Sequence, residues 1–160
     1  MRRLVARPLT GDAFAPFGDV LEAPLDFGRV YIERTLENGR AAAKPSLSFA
    51  LAKSIPVFPF KTVQMERHEY SSQSFVPMDT GRWLVIVAPH ARSGGPDAML
   101  AEAFIAGPGQ GVTYGRNVWH HPLSVIGAPQ RFAIFMWLER SRTDEEFVQL
   151  ATPFEVTLPA

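Results

Sequence analysis

Prolines and glycines, 14 and 12 of them, are scattered through the whole 160-residue chain. Each proline removes a backbone donor and obstructs the turn before it, so long helices are almost excluded. What remains are short runs of β-branched and aromatic residues between breakers. Ser46–Ala52, Thr62–His68, Gln73–Val76, Arg82–Val87, Ala101–Ile105, Asn117–His121, Ser124–Ile126 and Arg131–Glu139 read as strands. Many short strands closely punctuated by turns predict an all-β sandwich or barrel. Two short terminal helices are expected. Thr10 can cap one that runs through Phe17, with Gly18 as its left-handed exit. Thr143-Asp144-Glu145-Glu146 has capping-box spacing for another, ahead of Phe147, Val148 and Leu150. Gly127–Gln130 reads as a hairpin turn, and Asn38-Gly39 as a second.

Composition removes several function classes. Lys plus Arg equals Asp plus Glu at 16 each, which leaves no electrostatic footprint for nucleic acid. There is no cysteine, and hence no disulfide framework or thiolate chemistry. The longest apolar run, Trp83–Pro89, is far short of a membrane span. The opening MRRLVARPLTGDAF has too few apolar residues for a secretory core, so a cytoplasmic protein is expected. Neither a repeat nor a linker is visible, and one domain over residues 1–160 follows.

Two segments carry residues capable of chemistry. In MERHEYSSQSF, Glu66 and His68 are two apart on a strand and share a face, while Arg67 points away. An acid and an imidazole turned into a barrel are costly unless they pair or bind something. In Val118-Trp119-His120-His121-Pro122, alternation places Trp119 and His121 on one face and His120 on the other, so only one of the two histidines can face inward. The other reads as a surface or interface imidazole, and His90 as exposed. Gly107-Pro108-Gly109-Gln110-Gly111 lacks the helix that a phosphate cradle needs, and reads as a tight loop requiring positive φ.

These two segments resemble the paired motifs of the cupin superfamily, which implies a double-stranded β-helix (jelly-roll) barrel. Glu66-x-His68 stands where the first motif has H-x-H, Gln73 stands at its carboxylate, and Gly81 lies one residue beyond its glycine. In the second motif Gly109 matches the first glycine, Gly115 stands at the proline, Asn117 at the second glycine and His120 at the histidine, which makes His120 the inward histidine. ERH followed by glutamine and phenylalanine, GQGV-x-Y-x-RNVWHHPL, FAPFGDVLE and LER together resemble the ureidoglycolate lyase family of allantoin catabolism, across nearly the whole chain. Two positions depart from the family: Gly115 stands where a histidine is usual, and Ala52, beside Lys53, where an arginine is usual.

The resemblance implies cleavage of ureidoglycolate into glyoxylate and urea. It implies Glu66, His68, Gln73 and His120 as ligands of a divalent metal, nickel by family likeness with zinc or manganese as alternatives, or as a metal-free proton-transfer cluster. Glu66, His68, His120 and Tyr114 are the expected catalytic groups; Arg116, Lys53 and Gln73 are the expected substrate-binding groups, a cation being needed to balance the substrate carboxylate. Unbroken parity would put Tyr114 and Arg116 on the face of His120. Tyr31 and Glu139 read as structural. A homodimer is expected, because small barrels of this type leave sheet edges that need cover. The same barrel would also suit another small hydroxy or keto acid, or serve as a non-catalytic acid-binding module.

Overall fold

The apolar run at Trp83 is a strand buried on both faces, and the rest of the fold is laid around it. The computed structural model describes residues 1–160. Its elements, in chain order, are β1 (Arg2–Val5), β2 (Arg7–Pro8), α1 (Gly11–Phe14), β3 (Gly18–Leu21), β4 (Lys44–Ala52), β5 (Phe60–Arg67), β6 (Gln73–Pro77), β7 (Arg82–Ala88), β8 (Glu102–Ala106), β9 (Gly111–Tyr114), β10 (Trp119–His120), β11 (Ser124–Ile126), β12 (Gln130–Leu138) and β13 (Glu146–Thr157). No helix is long and apolar enough to cross a membrane.

The strands form two sheets. One runs β1-β13-β5-β10-β7-β8-β2, with β11 also on β7; the other runs β3-β9-β6-β12-β4. Alternation along β7 sends Trp83, Val85 and Val87 into the core between the sheets, where they meet Phe75, Phe104, Val112, Tyr114 and Phe132. Leu84, Ile86 and Ala88 face a second core with Met65, Trp119, Leu150 and Phe154. A strand covered on both faces must be apolar throughout, which is why this stretch reads as a continuous run rather than an alternating one.

The predicted strands all appear, with ends shifted by one or two residues, except in the stretch Asn117–His121. Only Trp119–His120 is strand there; Arg116-Asn117 is a turn, with Asn117 at φ 63. A left-handed residue reverses the chain, so parity does not carry across it. The N-terminal helix forms as a single turn, Thr10 Oγ1 accepting from Ala13 N at 3.3 Å, with fully buried Phe14 as its anchor.

Gly18 is not a left-handed exit but nearly extended at φ 158. Glycine is required there because a Cβ would lie 1.8 Å from the Thr113 carbonyl oxygen across the β3–β9 pair. The C-terminal helix is absent. Asp144 turns its carboxylate back onto the amides of Glu139 and Ser141, each at 3.0 Å, instead of capping forward. The chain then enters β13, where Pro153 falls at a break in register between Gln149 and Phe154, a position a helix interior would not tolerate. Gly127–Gln130 is a corner that passes the chain from one sheet to the other, not a hairpin, with Gly127 at φ 85. Asn38 forms a bridge to Ser71 in place of a hairpin turn. Gly109 takes the expected positive φ, 75°.

Gly18→Ala should lower stability by about 2 kcal/mol, as forced overpacking against rigid backbone does. Thermal or urea denaturation reads this directly, and an unchanged midpoint would mean that β3 can shift away from Thr113.

Candidate active site and metal centre

Strand register brings the two motifs together. His120 of β10 lies directly opposite Glu66 of β5 and Val87 of β7, so Glu66 and His120 project from the same face into the barrel. His68 shares that parity, and Gln73 enters from the facing sheet at the start of β6. All four are buried. Donor atoms of Glu66, His68 and His120 lie within 4.8 Å of one another, close enough to hold a single ion.

The hydrogen bonds decide what such a cluster can accept. His68 Nδ1 meets the Asp144 carbonyl at 2.8 Å. A carbonyl only accepts, so Nδ1 carries the proton and Nε2 is a bare lone pair, buried and without any partner. His120 repeats the pattern: Nδ1 meets the Val118 carbonyl at 2.9 Å, while Nε2 faces Gln73 Oε1 at 3.1 Å and Glu66 Oε1 at 3.3 Å. Two ring nitrogens and two oxygens thus converge, all of them lone-pair donors. Only a positive charge among them, a proton or a divalent cation, makes this arrangement favourable. Backbone-anchored Nδ1–H groups that orient Nε2 are the arrangement metal-ligating histidines use. The residues therefore fit a divalent ion.

Electrostatics agree. Burial pushes the Glu66 carboxyl up, but its close contact with His120 and the other imidazoles around it outweigh that and set its pKa below the ordinary carboxyl value, so it is ionised. Burial, reinforced by His120, holds the His68 pKa below the ordinary imidazole value and keeps its Nε2 free to ligate. Tyr114 stacks on His120, ring centroids 4.1 Å apart and 11° from parallel. Burial, and then the charge of Glu66, raises the phenol pKa, so Tyr114 stays protonated.

The other expected residues fall elsewhere. Arg116 does not follow His120 inward: the Asn117 turn breaks the parity, and the exposed guanidinium lies over the Gly39 backbone, with Nε 3.4 Å from the Glu69 carbonyl. Lys53 follows β4 on the outward parity and is exposed. Ala52, at the departure from the family pattern, is an inward core residue among the aromatic side chains. Gly115 has ordinary van der Waals room for a side chain. Tyr31 is exposed, and Glu139 pairs with Arg40. His121, expected as a surface or interface imidazole, is half-buried: it sits edge-on to Phe60, 5.2 Å between centroids, with Nδ1 near the Pro122 carbonyl and Ser124 Oγ. His90 is exposed yet fixed, accepting from Trp119 Nε1 at 3.2 Å and donating to the Asn117 carbonyl at 2.7 Å. A groove of about 620 Å³ beside this loop is lined by residues such as Phe17, Leu100 and Arg116, and by none of the four cluster residues.

Sequence reasoning missed the groups that hold the cluster in place. Arg67, on the outer face of β5, donates to Asn117 Oδ1 at 2.6 Å and lies 4.8 Å from the Trp119 ring, pinning the turn before His120. Asn117 N in turn donates to the His68 carbonyl at 2.8 Å. The carbonyls of Asp144 and Val118 have no side-chain signal at all.

A model of the family described as ureidoglycolate lyase matches residues 1–157. The chain belongs to the ureidoglycolate lyase family. A ureidoglycolate lyase from Chelativorans sp. (strain BNC1) is 40% identical over 168 residues, covering 99% of each chain. Another, from Mesorhizobium japonicum, is 34% identical and covers 99% of this chain and 100% of its own. Among solved structures, a dTDP sugar isomerase from Desulfovibrio desulfuricans G20 superimposes with a TM-score of 0.51 at 12% identity over 82% of each chain, which establishes the cupin-type barrel. Ureidoglycolate lyases are enzymes, and in this member of the family Glu66, His68, Gln73 and His120 gather as a buried polar cluster inside the barrel.

His68→Ala and His120→Ala should each reduce turnover by about 10²–10⁴-fold, the range for a positioned catalytic side chain. His121→Ala should lower the melting temperature through lost packing on Phe60 while sparing turnover. Steady-state kinetics with parallel thermal melts separates the two, and equal losses of turnover from His120→Ala and His121→Ala would refute the assignment.

Proposed function

We propose that this chain is a cytoplasmic enzyme that cleaves ureidoglycolate into glyoxylate and urea, with Glu66, His68, Gln73 and His120 as its centre. The observation that carries the reading is the convergence of four buried lone-pair donors in a chain of this family. The substrate carbon bears a hydroxyl, a carboxylate and a urea nitrogen. Breaking its C–N bond moves one proton from the hydroxyl oxygen to the departing nitrogen while the carbonyl forms.

A divalent cation held by the four residues, nickel by family likeness, would supply positive charge for the hydroxyl and carboxylate and lower the hydroxyl pKa. Neither Arg116 nor Lys53 projects into the cluster, so a cation held there would be the group to balance the substrate carboxylate. Glu66, held ionised, accepts the hydroxyl proton and returns it to the urea nitrogen, which balances the reaction without an outside acid. Tyr114, protonated against His120, offers a hydrogen bond and closes the apolar side of the site. The inward side chains of β4 are Ser46, Ser48 and Ala50, none of them buried, and this small-residue face leaves room for a compact polar acid.

The outer face of the same strand supports a homodimer. Leu47, Phe49 and Leu51 are 64%, 68% and 70% exposed, and β4 is the end strand of its sheet. A nine-residue apolar edge strand is an association surface unless it is covered, and a second copy offers the same strand in a two-fold arrangement.

Purified protein should release urea from ureidoglycolate, lose activity on exhaustive chelation, and regain it with nickel or manganese. Full activity with no metal by elemental analysis would leave the four residues as a proton-transfer cluster, and turnover only of another hydroxy or keto acid would replace the substrate. Phe49→Lys should convert a dimer to a monomer by light scattering; a wild-type monomer at micromolar concentration would remove the dimer.

A further inference from the structure

His68 offers a bare Nε2 to the cluster because one backbone carbonyl, that of Asp144, holds its Nδ1–H. That carbonyl belongs to a turn, not to a strand, so no ladder of backbone hydrogen bonds fixes it. We infer that Arg40, from a segment nearly thirty residues ahead of His68, is a positioning residue that sets the tautomer and direction of His68 through this turn.

The contacts run in one chain. Arg40 forms an ion pair with the Asp144 carboxylate, a second with Glu139 at 3.1 Å, and a hydrogen bond to Thr143 Oγ1 at 3.0 Å. The Asp144 carboxylate accepts in turn from the amides of Glu139 and Ser141. One guanidinium thus ties together both ends of a turn whose corner, Arg140, is left-handed at φ 63. The side chains of Arg40 and Asp144 are only 12% and 10% exposed, so the pair is shielded from competing water, unlike the open pair of Arg131 and Asp79. The segment carrying Arg40 also grips the chain just after His68. Gly39 N donates to the Tyr70 carbonyl at 2.7 Å, Ser72 N donates to the Glu37 carbonyl at 3.0 Å, and the guanidinium lies 5.1 Å from the Tyr70 ring centre. His68 is therefore held from two sides by this segment: Gly39 and Glu37 grip the backbone that follows it, and the Arg40 guanidinium fixes the turn that offers the acceptor of its ring proton. A planar fork that reaches two carboxylates is a task for arginine, which lysine performs only as a point charge.

The inference rests on the reading of His68 as a site group, and not on the identity of metal or substrate. Its test uses Arg40→Met, Arg40→Lys, Asp144→Asn and, as a control, Arg131→Met. On chelated, ¹⁵N-labelled protein, NMR of the imidazole nitrogens reports which His68 nitrogen carries the proton. Calorimetry with nickel and urea-release kinetics follow on the same samples. Wild type and Arg131→Met should show one His68 tautomer, protonated at Nδ1. Folded Arg40→Met should show a mixture, with nickel affinity and kcat lowered by about 10–100-fold, the usual effect of removing an outer partner of a ligand. Arg40→Lys and Asp144→Asn should fall between. A folded Arg40→Met that keeps the single Nδ1–H tautomer and unchanged nickel affinity would overturn the inference. If Arg40→Met does not fold, the two milder variants decide it: a single tautomer in both overturns it, and a mixture in either supports it. Absence of urea release from every sample, wild type included, would reject the substrate while the tautomer result still stands.

Discussion

Four lone pairs inside an apolar barrel repel unless a positive charge lies among them, and this constraint governs the structure around them. Glu66 and Gln73 supply oxygens, and His68 and His120 supply ring nitrogens, with no proton left over to bridge them once each Nδ1 is bonded to a backbone carbonyl. Burying such groups without compensation costs several kcal/mol. An arrangement that stores this cost at one point, and orients every donor toward it, is built for a cation or a mobile proton.

The frame that holds it is economical. β10 is only two residues long, yet it pairs with β5 on one side and β7 on the other, so His120 is fixed by two neighbours at once. Trp119 anchors the opposite face of that strand in the second core, where Arg67 and His90 brace it. Tyr114 stacks on the imidazole from the facing sheet. The first histidine lacks such a strand partner for its ring and depends on a turn instead, which is why the charged pair of Arg40 and Asp144 stands behind it.

β4 inverts the usual alternation of a barrel strand. Its small residues face inward and its large apolar residues face outward. Its inward residues stand across β12 from β6, the strand that carries Gln73, and its outward ones leave an exposed apolar face at the end of the sheet.

Much of this was legible in the residues. The breaker spacing gave the short strands, the period of two put Glu66 and His68 on one face, and the ERH…Q and RNVWHHP words identified both the barrel type and the four cluster residues, because these signals are local and each is spelled by side chains. Parity failed where the backbone left the strand: Asn117 is left-handed, so Arg116 turned outward although unbroken alternation pointed it in. The capping-box spacing at Thr143 failed because a distant arginine and two preceding amides claimed the Asp144 carboxylate first. The groups that orient the histidines stayed invisible for a similar reason, since the carbonyls of Asp144 and Val118 exist in every residue. By itself, then, the sequence determined which side chains can do chemistry; the tertiary structure alone decided which backbone atoms hold them and which cations stay outside, because those contacts join segments far apart in the chain.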